Sequence, residues 1–422
     1  MSGGSLEGVR ILDLTSVVVG PLATQILADH GADVIKVESP AGDIGRTLAG
    51  RGRSAAMSGK FLHLNRNKRS IVLDLKSRDG LAALMRMIKT ADVLLWNVRP
   101  DSMARMGLGY EAVRAVNPRI VYCGMFGFGQ DGRYKDKPAY DSIIQGASGV
   151  AALHERVSGT PRYVPFVMAD RTVGLIAVQM IMMALFKRER GGEGQSIEIP
   201  MFENMVTQVM TEHMYLGTFD PPLENANDPG KAPGEASGEA PGEVYGDPRV
   251  LDPENRPIPT RDGYVCISAN TDAQAFALFA AIGRPELKDD PRFSSVVARF
   301  KNVGAYFAIR AEGMRQKTSA EWLEIFERMD VPAAPYNTLE TLQLDPHLRD
   351  AGFFERVEHP TEGAIWNMRP ANKLSGGART DFRGAPKLGQ HTREVLGEAG
   401  FGADEVESLI RSGAARAWKG KP

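Results

Sequence analysis

Residues 9–39 read VRILDLTSVVVGPLATQILADHGADVIKVES, and this stretch decides the fold class. Two short apolar runs, 9–15 and 33–39, enclose an amphipathic segment at 21–31. A short apolar run bounded by turn residues is typical of a buried strand, and the apolar spacing of the middle segment is typical of a helix. The stretch therefore predicts a strand, a helix and a second strand that lies parallel to the first.

The same alternation of strand and helix continues along the first part of the chain. The further predicted elements are strands at 70–75, 92–97 and 119–126 and helices at 77–91 and 110–117. Strands that alternate with amphipathic helices form a parallel sheet covered on both faces, so we expect an α/β fold. In such sheets ligands bind at the carboxyl ends of the strands. The segments to examine are therefore Thr15–Gly20, Glu38–Pro40 and Asn97–Arg105.

A long apolar segment follows this region. Residues 172–189 predict one helix, and its apolar part, 173–186, is shorter than the roughly 20 residues that span a bilayer. We therefore expect a buried helix and no membrane segment. A strand and a further helix are predicted within 194–217. Residues 220–243 are rich in Pro, Gly and Glu, which indicates a linker or a surface loop.

The second half of the chain predicts a smaller mixed domain. Its elements are a strand within 261–270 and helices at 272–283 and 319–330. After strand-like pieces the chain ends in a helical region within 391–410. The predicted division is a large α/β domain, a linker, a small domain, and a second linker with a C-terminal segment, at 1–200, 201–244, 245–335 and 336–422.

Composition narrows the function classes. The 422 residues contain 51 Lys and Arg against 52 Asp and Glu, so the chain lacks the strongly basic character of nucleic-acid binders. Cys123 and Cys266 stand in strand-like runs and are predicted to be buried free thiols, which fits a cytoplasmic protein. The seven histidines show no metal-ligand spacing, so we predict no metal site. The N-terminal residues lack the basic start of a signal peptide.

Residues 127–132 read GFGQDG, a G-x-G-x-x-G pattern directly after a predicted strand. A dinucleotide site needs a helix that begins inside this pattern, so that the helix N-terminus meets the pyrophosphate. The next residues, RYKDKPAY (133–140), do not favour a helix start. We therefore interpret the pattern as a turn between a strand and a loop that lies near a ligand.

Asp170 stands just before the long apolar helix, in the stretch MADRTVGLIAVQM (168–180). This is the position of an N-cap residue, a structural role worth about 1 kcal/mol. The same geometry would let backbone N–H groups and the helix dipole keep the carboxylate ionised and available as a nucleophile. From the residues alone the capping role is favoured, and the catalytic role stays open.

Several cations follow or flank the predicted strand ends. Each alone is more often a solvated surface charge. A cluster at one edge of the sheet would instead form the anion site that a nucleotide with three phosphates requires. The candidates are Lys68, Arg69, Lys76, Arg99, Arg105 and Lys137.

These stretches together resemble the class III CoA-transferase family, which includes formyl-CoA:oxalate and carnitine CoA-transferases. The resemblance extends over nearly the whole chain, and it implies a Rossmann-like large domain, a smaller α+β domain, a C-terminal return to the large domain and an interlocked homodimer. Its motifs include LDLTSVVVGPLATQILADHGADVIKVESP (12–40), NRNKRSIVLDLKSRDG (65–80), PAYDSIIQGASG (138–149), the segment around Asp170, RERGGEGQSIEI (188–199) and LGQHTREVL (388–396).

The resemblance places the family's nucleophilic aspartate at Asp170. The implied route is attack on an acyl-CoA thioester to give an aspartyl-acyl anhydride, then an aspartyl-CoA thioester, from which CoA passes to the acceptor acid. Coenzyme A is a substrate in this route, and no tightly bound cofactor is implied. One CoA-contacting arginine of formyl-CoA transferase falls on Ser39. The binding positions that carry over are Val18, Leu73, Leu75, Lys76, Asn97, Arg105, Lys137 and Tyr140.

Two departures from relatives bear on the reaction. The glycine-rich loop of formyl-CoA transferase has no counterpart in 242–257, so formate and oxalate are not expected as substrates. The family's α-methylacyl-CoA racemases use a His beside an Asp, where this chain has Tyr140-Asp141, and a tyrosine of reference pKa near 10 is a poor proton shuttle. A CoA-transferase for a small mono- or dicarboxylic acid is the leading hypothesis. A racemase and a non-catalytic CoA-binding protein are the alternatives.

Overall fold

The computed structural model describes residues 4–48, 50–221, 244–375 and 381–420. The strands are β1 (Arg10–Asp13), β2 (Asp33–Glu38), β3 (Lys68–Leu73), β4 (Val93–Trp96), β5 (Val121–Phe126), β6 (Gln195–Pro200), β7 (Ile258–Pro259), β8 (Tyr264–Ile267), β9 (Ala333–Pro335), β10 (Phe354–His359), β11 (Gly363–Met368) and β12 (Ala415–Arg416). The α-helices are α1 (Val19–Asp29), α2 (Gly59–Leu64), α3 (Arg78–Ile88), α4 (Pro100–Arg105), α5 (Tyr110–Val116), α6 (Asp141–Ala147), α7 (Val150–Ser158), α8 (Met168–Glu189), α9 (Met201–His213), α10 (Asp272–Ala281), α11 (Val296–Lys301), α12 (Val303–Met314), α13 (Ser319–Arg328), α14 (Pro346–Asp350), α15 (Thr392–Glu398) and α16 (Ala403–Arg411).

The chain divides into two compact units. The first comprises 1–148, 164–206 and 347–422, and the second comprises 149–163 and 207–346. The first unit contains the parallel sheet and the C-terminal helices, and the second contains the short antiparallel sheet. The predicted linker at 220–243 falls largely on 222–243, which lie outside the described residues.

A seven-stranded sheet in the order β12-β3-β2-β1-β4-β5-β6 forms the centre of the first unit. Strands β1 to β6 are parallel, and β12 pairs antiparallel with β3. Leu12 of β1 pairs with Ile35 of β2 on one side and Leu94 of β4 on the other, and all three side chains are buried. The structure therefore confirms the α/β prediction, because burial of the strands on both faces requires the continuous apolar runs seen in the sequence.

Helices and the C-terminal segment cover the sheet. The predicted helices α1, α3 and α5 form close to their expected bounds. Leu396 of α15 and Val406 of α16 belong to the same buried cluster as Leu12 and Leu84. Two short helices, α2 and α4, were not predicted, since six residues are too few for a periodic apolar pattern to identify a helix.

The long helix α8 differs from its prediction in length and in burial. It has 22 residues, and an 18-residue window has a mean hydropathy of 1.5, so length and composition alone would allow it to cross a membrane. Buried helices of water-soluble proteins share these properties. The prediction of a shorter, buried helix was wrong. The helix begins at Met168 instead of 172, and only 39% of that window is buried. Leu175, Met183 and Phe186 are 51%, 62% and 64% exposed.

The second unit has its own core. Strands β7, β8 and β9 form an antiparallel sheet beside the helices α10 and α13, and the strand and both helices predicted here are present. Phe279, Phe293 and Trp322 are fully buried in this core. Both helices begin at a threonine with a complete capping box, which satisfies backbone N–H groups at the helix start.

The two cysteines are free, as predicted, but they differ in burial. Cys123 lies in β5 and is fully buried. Cys266 lies in β8 and is only partly buried, so the prediction of burial was wrong for this thiol. The strand β8 belongs to a three-stranded sheet that exposes some of its residues, whereas β5 is central in a sheet covered on both faces.

Candidate active site

Two cavities open at the carboxyl ends of the parallel strands, where ligands bind in this class of fold. The first, here called the Asp170 cavity, has a volume of about 590 Å³ and is lined by Asp170 and by residues that follow β1, β4 and β5. The second, the β2–β3 cavity, has a volume of about 650 Å³ and is lined by residues that follow β2 and β3. Ser16, Ile44 and Val98 line both cavities, so the two adjoin.

Most of the predicted ligand-binding residues line one of these cavities. The Asp170 cavity includes Val18, Asn97, Lys137 and Tyr140. The β2–β3 cavity includes Leu73, Leu75, Lys76 and also Ser39. The two groups come from distant parts of the sequence, and the shared wall lets a ligand longer than either cavity contact both.

Three of the predicted cations lie elsewhere. Arg105 is exposed, and it is not among the residues that line the two cavities. Lys68 is fully buried and its Nζ lies 3.2 Å from Asp13 Oδ2, inside the sheet rather than at its edge. Arg69 forms an ion pair of 2.7 Å with Asp33. Lys68 and Arg69 were candidates for a phosphate-binding cluster, with a solvated surface charge as the alternative; the structure shows neither role, because both side chains form ion pairs within the protein.

Asp170 is the third residue of α8, not its N-cap. The N-cap is Val167, whose own side chain makes no capping hydrogen bond. The prediction of an N-cap was wrong because the helix begins at Met168, four residues before the start at 172 that the apolar pattern indicates. Asp170 still lies in the first turn, where the helix dipole favours a negative charge.

Asp141 lies beside Asp170. It is the first residue of α6, and its Oδ1 accepts a hydrogen bond of 3.1 Å from the backbone N–H of Asp170. Its Oδ2 accepts a 2.7 Å hydrogen bond from Nε2 of Gln145, a buried residue of the same helix. The sequence contains this neighbour in the Tyr140-Asp141 pair, but residues 29 positions apart carry no local signal that they meet.

The Asp170 carboxyl group is harder to ionise than an ordinary aspartate. Burial is the largest cause, and the charge of Asp141 is the second; together they raise the pKa of Asp170 to about 7. The charges of Lys60 and Arg171 oppose this rise in pKa. The catalytic interpretation expected the helix start to keep this carboxylate ionised, whereas burial and Asp141 shift its pKa in the opposite direction.

Close packing of α8 against α1 positions Asp170. A Cβ atom on Gly174, one turn after Asp170, would lie 2.8 Å from the carbonyl oxygen of Val19. Only glycine allows this approach of the two helices. Val19 is the first residue of α1 and lines the Asp170 cavity, so the contact brings the start of α1 to the same cavity as the carboxylate.

The loop between β1 and α1 forms a wall of the Asp170 cavity and has a strained backbone. Val17 has φ +71°, which is unusual for a β-branched residue. Asn97 holds the preceding residue, because its Oδ1 accepts from Ser16 N (3.0 Å) and its Nδ2 donates to Ser16 O (2.9 Å). Sequence reasoning missed this role of Asn97 and the conformation of Val17, since neither the dihedral angle nor a contact over 81 residues leaves a local signal.

The glycine pattern at 127–132 forms a turn, as interpreted. Gly127 lines the Asp170 cavity, and the next helix along the chain, α6, begins only at Asp141. Gly129 N donates a 2.8 Å hydrogen bond to Glu203 Oε1, which fixes the turn to α9. Cations Arg99 and Lys135 also line this cavity. Among the described residues, no group of three or more His, Cys, Asp or Glu is placed to hold a metal ion.

Fold and site together define an α/β protein in which an aspartate and several cations line one cavity at the carboxyl ends of the parallel strands. Comparison with known proteins identifies the family. Residues 6–392 match CoA-transferase family III, and the chain belongs to this family and is a CoA-transferase.

Similar proteins match over almost the whole chain. A succinate–glutarate CoA-transferase of Agrobacterium fabrum is 32% identical and covers 93% of this chain and 95% of its own length. A formyl-CoA:oxalate CoA-transferase of Rhodopseudomonas palustris is 34% identical over 97% of both chains. The crystal structure of a CaiB/BaiF family protein from Brucella suis is 29% identical, covers 94% of this chain and 100% of that one, and has a TM-score of 0.73.

Proposed function

We propose that this protein transfers CoA from an acyl-CoA donor to a carboxylic acid through covalent intermediates on Asp170. The observation that carries the proposal is the place of this carboxylate: it is mostly enclosed, lies in a cavity at the strand ends and has a pKa raised to about 7. A carboxylate of raised pKa is a stronger nucleophile than an ordinary one and is still ionised in a large fraction at neutral pH.

Each step of the proposed reaction balances without an outside reagent. An oxygen of Asp170 attacks the thioester carbonyl and the C–S bond breaks, which gives an anhydride and CoA thiolate. The thiolate attacks the aspartyl carbonyl and releases the donor acid as a carboxylate. The acceptor carboxylate then attacks the aspartyl thioester and frees the thiolate again. In the last step the thiolate attacks the acceptor's carbonyl, which forms the new acyl-CoA and regenerates the Asp170 carboxylate.

The two cavities suggest how CoA is oriented. The thioester has to meet Asp170, so the nucleotide end extends toward the β2–β3 cavity, past the shared residues Ser16 and Val98. Lys76 lines the β2–β3 cavity, and Arg99 and Lys137 line the Asp170 cavity. Cations in these places can pair with phosphate groups, and the apolar side chains around them can cover the adenine ring.

The acceptor in this proposal is a small mono- or dicarboxylic acid. The relatives named above act on succinate, glutarate, formate or oxalate, as their names state. Lys135 lines the Asp170 cavity and is suited to a second carboxylate. Residues 244–257 contain no run of glycines, so we propose a dicarboxylate longer than oxalate.

We also propose that the chain forms a homodimer. The exposed apolar side of α8, with Met183 and Phe186 more than half exposed, would be covered by a second copy. Met183→Asp should then lower the mass measured by light scattering from dimer to monomer. Ala82→Asp, at an exposed position of α3, is the matched control and should leave the mass unchanged. A wild-type monomer would contradict this proposal.

The experiment that tests the proposed activity is a screen of donor thioesters against acceptor acids, with new acyl-CoA read by mass spectrometry. Asp170→Ala should abolish exchange. The control is Asp79→Asn, which alters an exposed aspartate in the first turn of α3 and should exchange like the wild type. Exchange that survives in Asp170→Ala would contradict the covalent route.

Two further measurements, deuterium incorporation and CoA binding, separate the proposal from its two alternatives. A racemase would incorporate deuterium at the α-carbon of a 2-methylacyl-CoA without any acceptor acid. The proposal predicts no such incorporation, since Tyr140 stands where those enzymes have a histidine. A non-catalytic CoA-binding protein would bind CoA tightly and give no exchange over the whole panel.

A further inference from the structure

A buried ion pair contacts the loop Thr15–Val19. The two side chains of this pair take no part in the proposed reaction. The Nζ of Lys36 lies 2.9 Å from Asp43 Oδ2, and both side chains are almost completely buried. Lys36 Nζ also donates a 2.9 Å hydrogen bond to the carbonyl oxygen of Thr15. The pair thus joins β2 and the loop after it to the loop that follows β1.

The other carboxylate oxygen of Asp43 contacts the strained residue directly. Asp43 Oδ1 accepts hydrogen bonds from Val17 N (3.1 Å) and from Gly45 N (2.8 Å). The residue that donates this N–H, Val17, has its backbone in the left-handed region, with φ +71°. A valine keeps such a conformation only where its surroundings fix it.

The strained residue lies where a small displacement matters. Val17, Val18 and Val19 line the same cavity as Asp170. If the backbone at Val17 relaxed to negative φ, the chain direction between β1 and α1 would change, and this wall of the cavity would move. A shift of about 1 Å in a wall that orients the substrate can reduce a rate by about a hundredfold.

We propose that Lys36 and Asp43 are positioning residues of the transferase: their ion pair fixes Val17 in its left-handed conformation and thereby sets the wall that holds the thioester against Asp170. This inference rests on the proposed function. An internal ion pair seldom adds much stability, because loss of hydration offsets its attraction. The role that we propose for the pair is therefore to fix the conformation of the loop, and not to stabilise the fold.

The test compares Asp43→Asn with Asp29→Asn. Asp29 is the matched control because its ion pair with Arg66 (2.6 Å) is similarly buried, in the same unit, but does not contact the loop. We expect Asp43→Asn to lower kcat about tenfold to a hundredfold with KM for acyl-CoA changed less than about threefold. Asp29→Asn should lose similar thermal stability and keep kcat within about threefold. Equal losses of kcat in both variants would overturn the inference.

A rescue separates positioning from general damage. Glycine adopts positive φ without strain, so the double variant Asp43→Asn/Val17→Gly should be several times more active than Asp43→Asn alone. No recovery would count against the inference. Where Asp43→Asn does not fold, Lys36→Met removes the other half of the pair and carries the same expectations.

A crystal structure of Asp43→Asn distinguishes a failure of this inference from a failure of the proposed function. The inference predicts that φ of Val17 returns to negative values in this variant and stays positive in Asp29→Asn. An unchanged positive φ in Asp43→Asn overturns it, whatever the activity. If the wild type shows no exchange at all, the proposed function fails, and with it the positioning role in the reaction; the φ angle then still decides whether the pair fixes the loop.

Discussion

Two aspartates of the first unit, the fully buried Asp13 and the partly buried Asp170, behave in opposite ways. Asp13 lies in the sheet interior; burial opposes its ionisation, but Lys68 and Lys36 hold its pKa at about 2. Asp170 lies in the cavity, where burial and Asp141 raise its pKa to about 7. Burial acts in the same direction on both, so the sign of the nearest charge decides the difference.

The comparison separates a carboxylate that is paired inside the protein from one that faces a cavity. Asp13 is fixed by ion pairs and by hydrogen bonds from Thr15 and Thr24, which leave no oxygen for a substrate. No ion pair of Asp170 is found within the described ranges, and its carboxylate faces a cavity. Perturbed pKa values occur at structural and at functional carboxylates alike. A functional carboxylate is identified by the cavity that it faces and by the charge of its nearest neighbour.

The largest expected effect comes from breaking the sheet network. Asp13→Asn leaves Lys68 buried without its closest carboxylate, and the loss of one partner from a buried pair costs about 3–5 kcal/mol. Urea unfolding would measure this loss. Asp33→Asn removes a more exposed partner of Arg69 and should cost less than about 1 kcal/mol. Similar losses in both variants would mean that the network is no stronger than a surface pair.

At the Asp170 cavity the expected change in the free energy of unfolding has the opposite sign, and Asp170→Asn should stabilise the protein. The pKa of Asp170 is raised from 3.8 to about 7, so ionisation destabilises the folded state as pH rises between these values. The variant should therefore gain on the order of 1–3 kcal/mol over the wild type at pH 8 and much less at pH 4. Urea unfolding at both pH values measures it. A gain in the free energy of unfolding that is equal at both pH values would contradict the account, and so would a loss at pH 8.

A smaller effect follows from removing the neighbouring charge. Asp141→Asn keeps an oxygen that can accept from the Asp170 N–H but removes the charge that raises the pKa of Asp170. The nucleophile must be deprotonated, so the wild-type kcat/KM should rise through about pH 7. In the variant this rise should move to lower pH by roughly one unit, or about 1.4 kcal/mol. A pH profile that stays in place or moves upward would show that Asp141 does not set the ionisation.

The smallest expected effect concerns the cations. Lys76 lines the β2–β3 cavity and Arg105 does not, although both were predicted to bind CoA. Lys76→Ala should raise KM for acyl-CoA about threefold to tenfold, as expected for one exposed phosphate contact of about 1 kcal/mol. Arg105→Ala should change KM less than twofold. The reverse order would mean that the ligand runs outside the β2–β3 cavity.

Much of the fold could be predicted because its signals are local. The apolar runs of β1 to β5 and the amphipathic pattern of α3 follow directly from burial in a covered parallel sheet. The C-terminal return is different, because the pairing of β12 with β3 joins residues more than 300 positions apart, and the expectation came from resemblance.

Most of the residues that line the two cavities could be proposed from the sequence, but the electrostatics of Asp170 could not. Asp170 and most cavity residues were identified by motif. The raised pKa depends on burial and on the charge of Asp141, and the pattern of the sequence carries no sign that Asp141 and Asp170 meet. The ion pair of Lys68 could not be predicted for the same reason, since its partner Asp13 lies 55 residues away and two strands across the sheet.

The most direct test of the central claim is peptide mass spectrometry of the protein quenched during turnover with an acyl-CoA donor and treated with borohydride or hydroxylamine. The account predicts a donor-dependent change of mass on the peptide that contains Asp170, localised to that residue and absent when CoA alone is supplied. Turnover without modification of Asp170, or with the modification on Asp141, would contradict it.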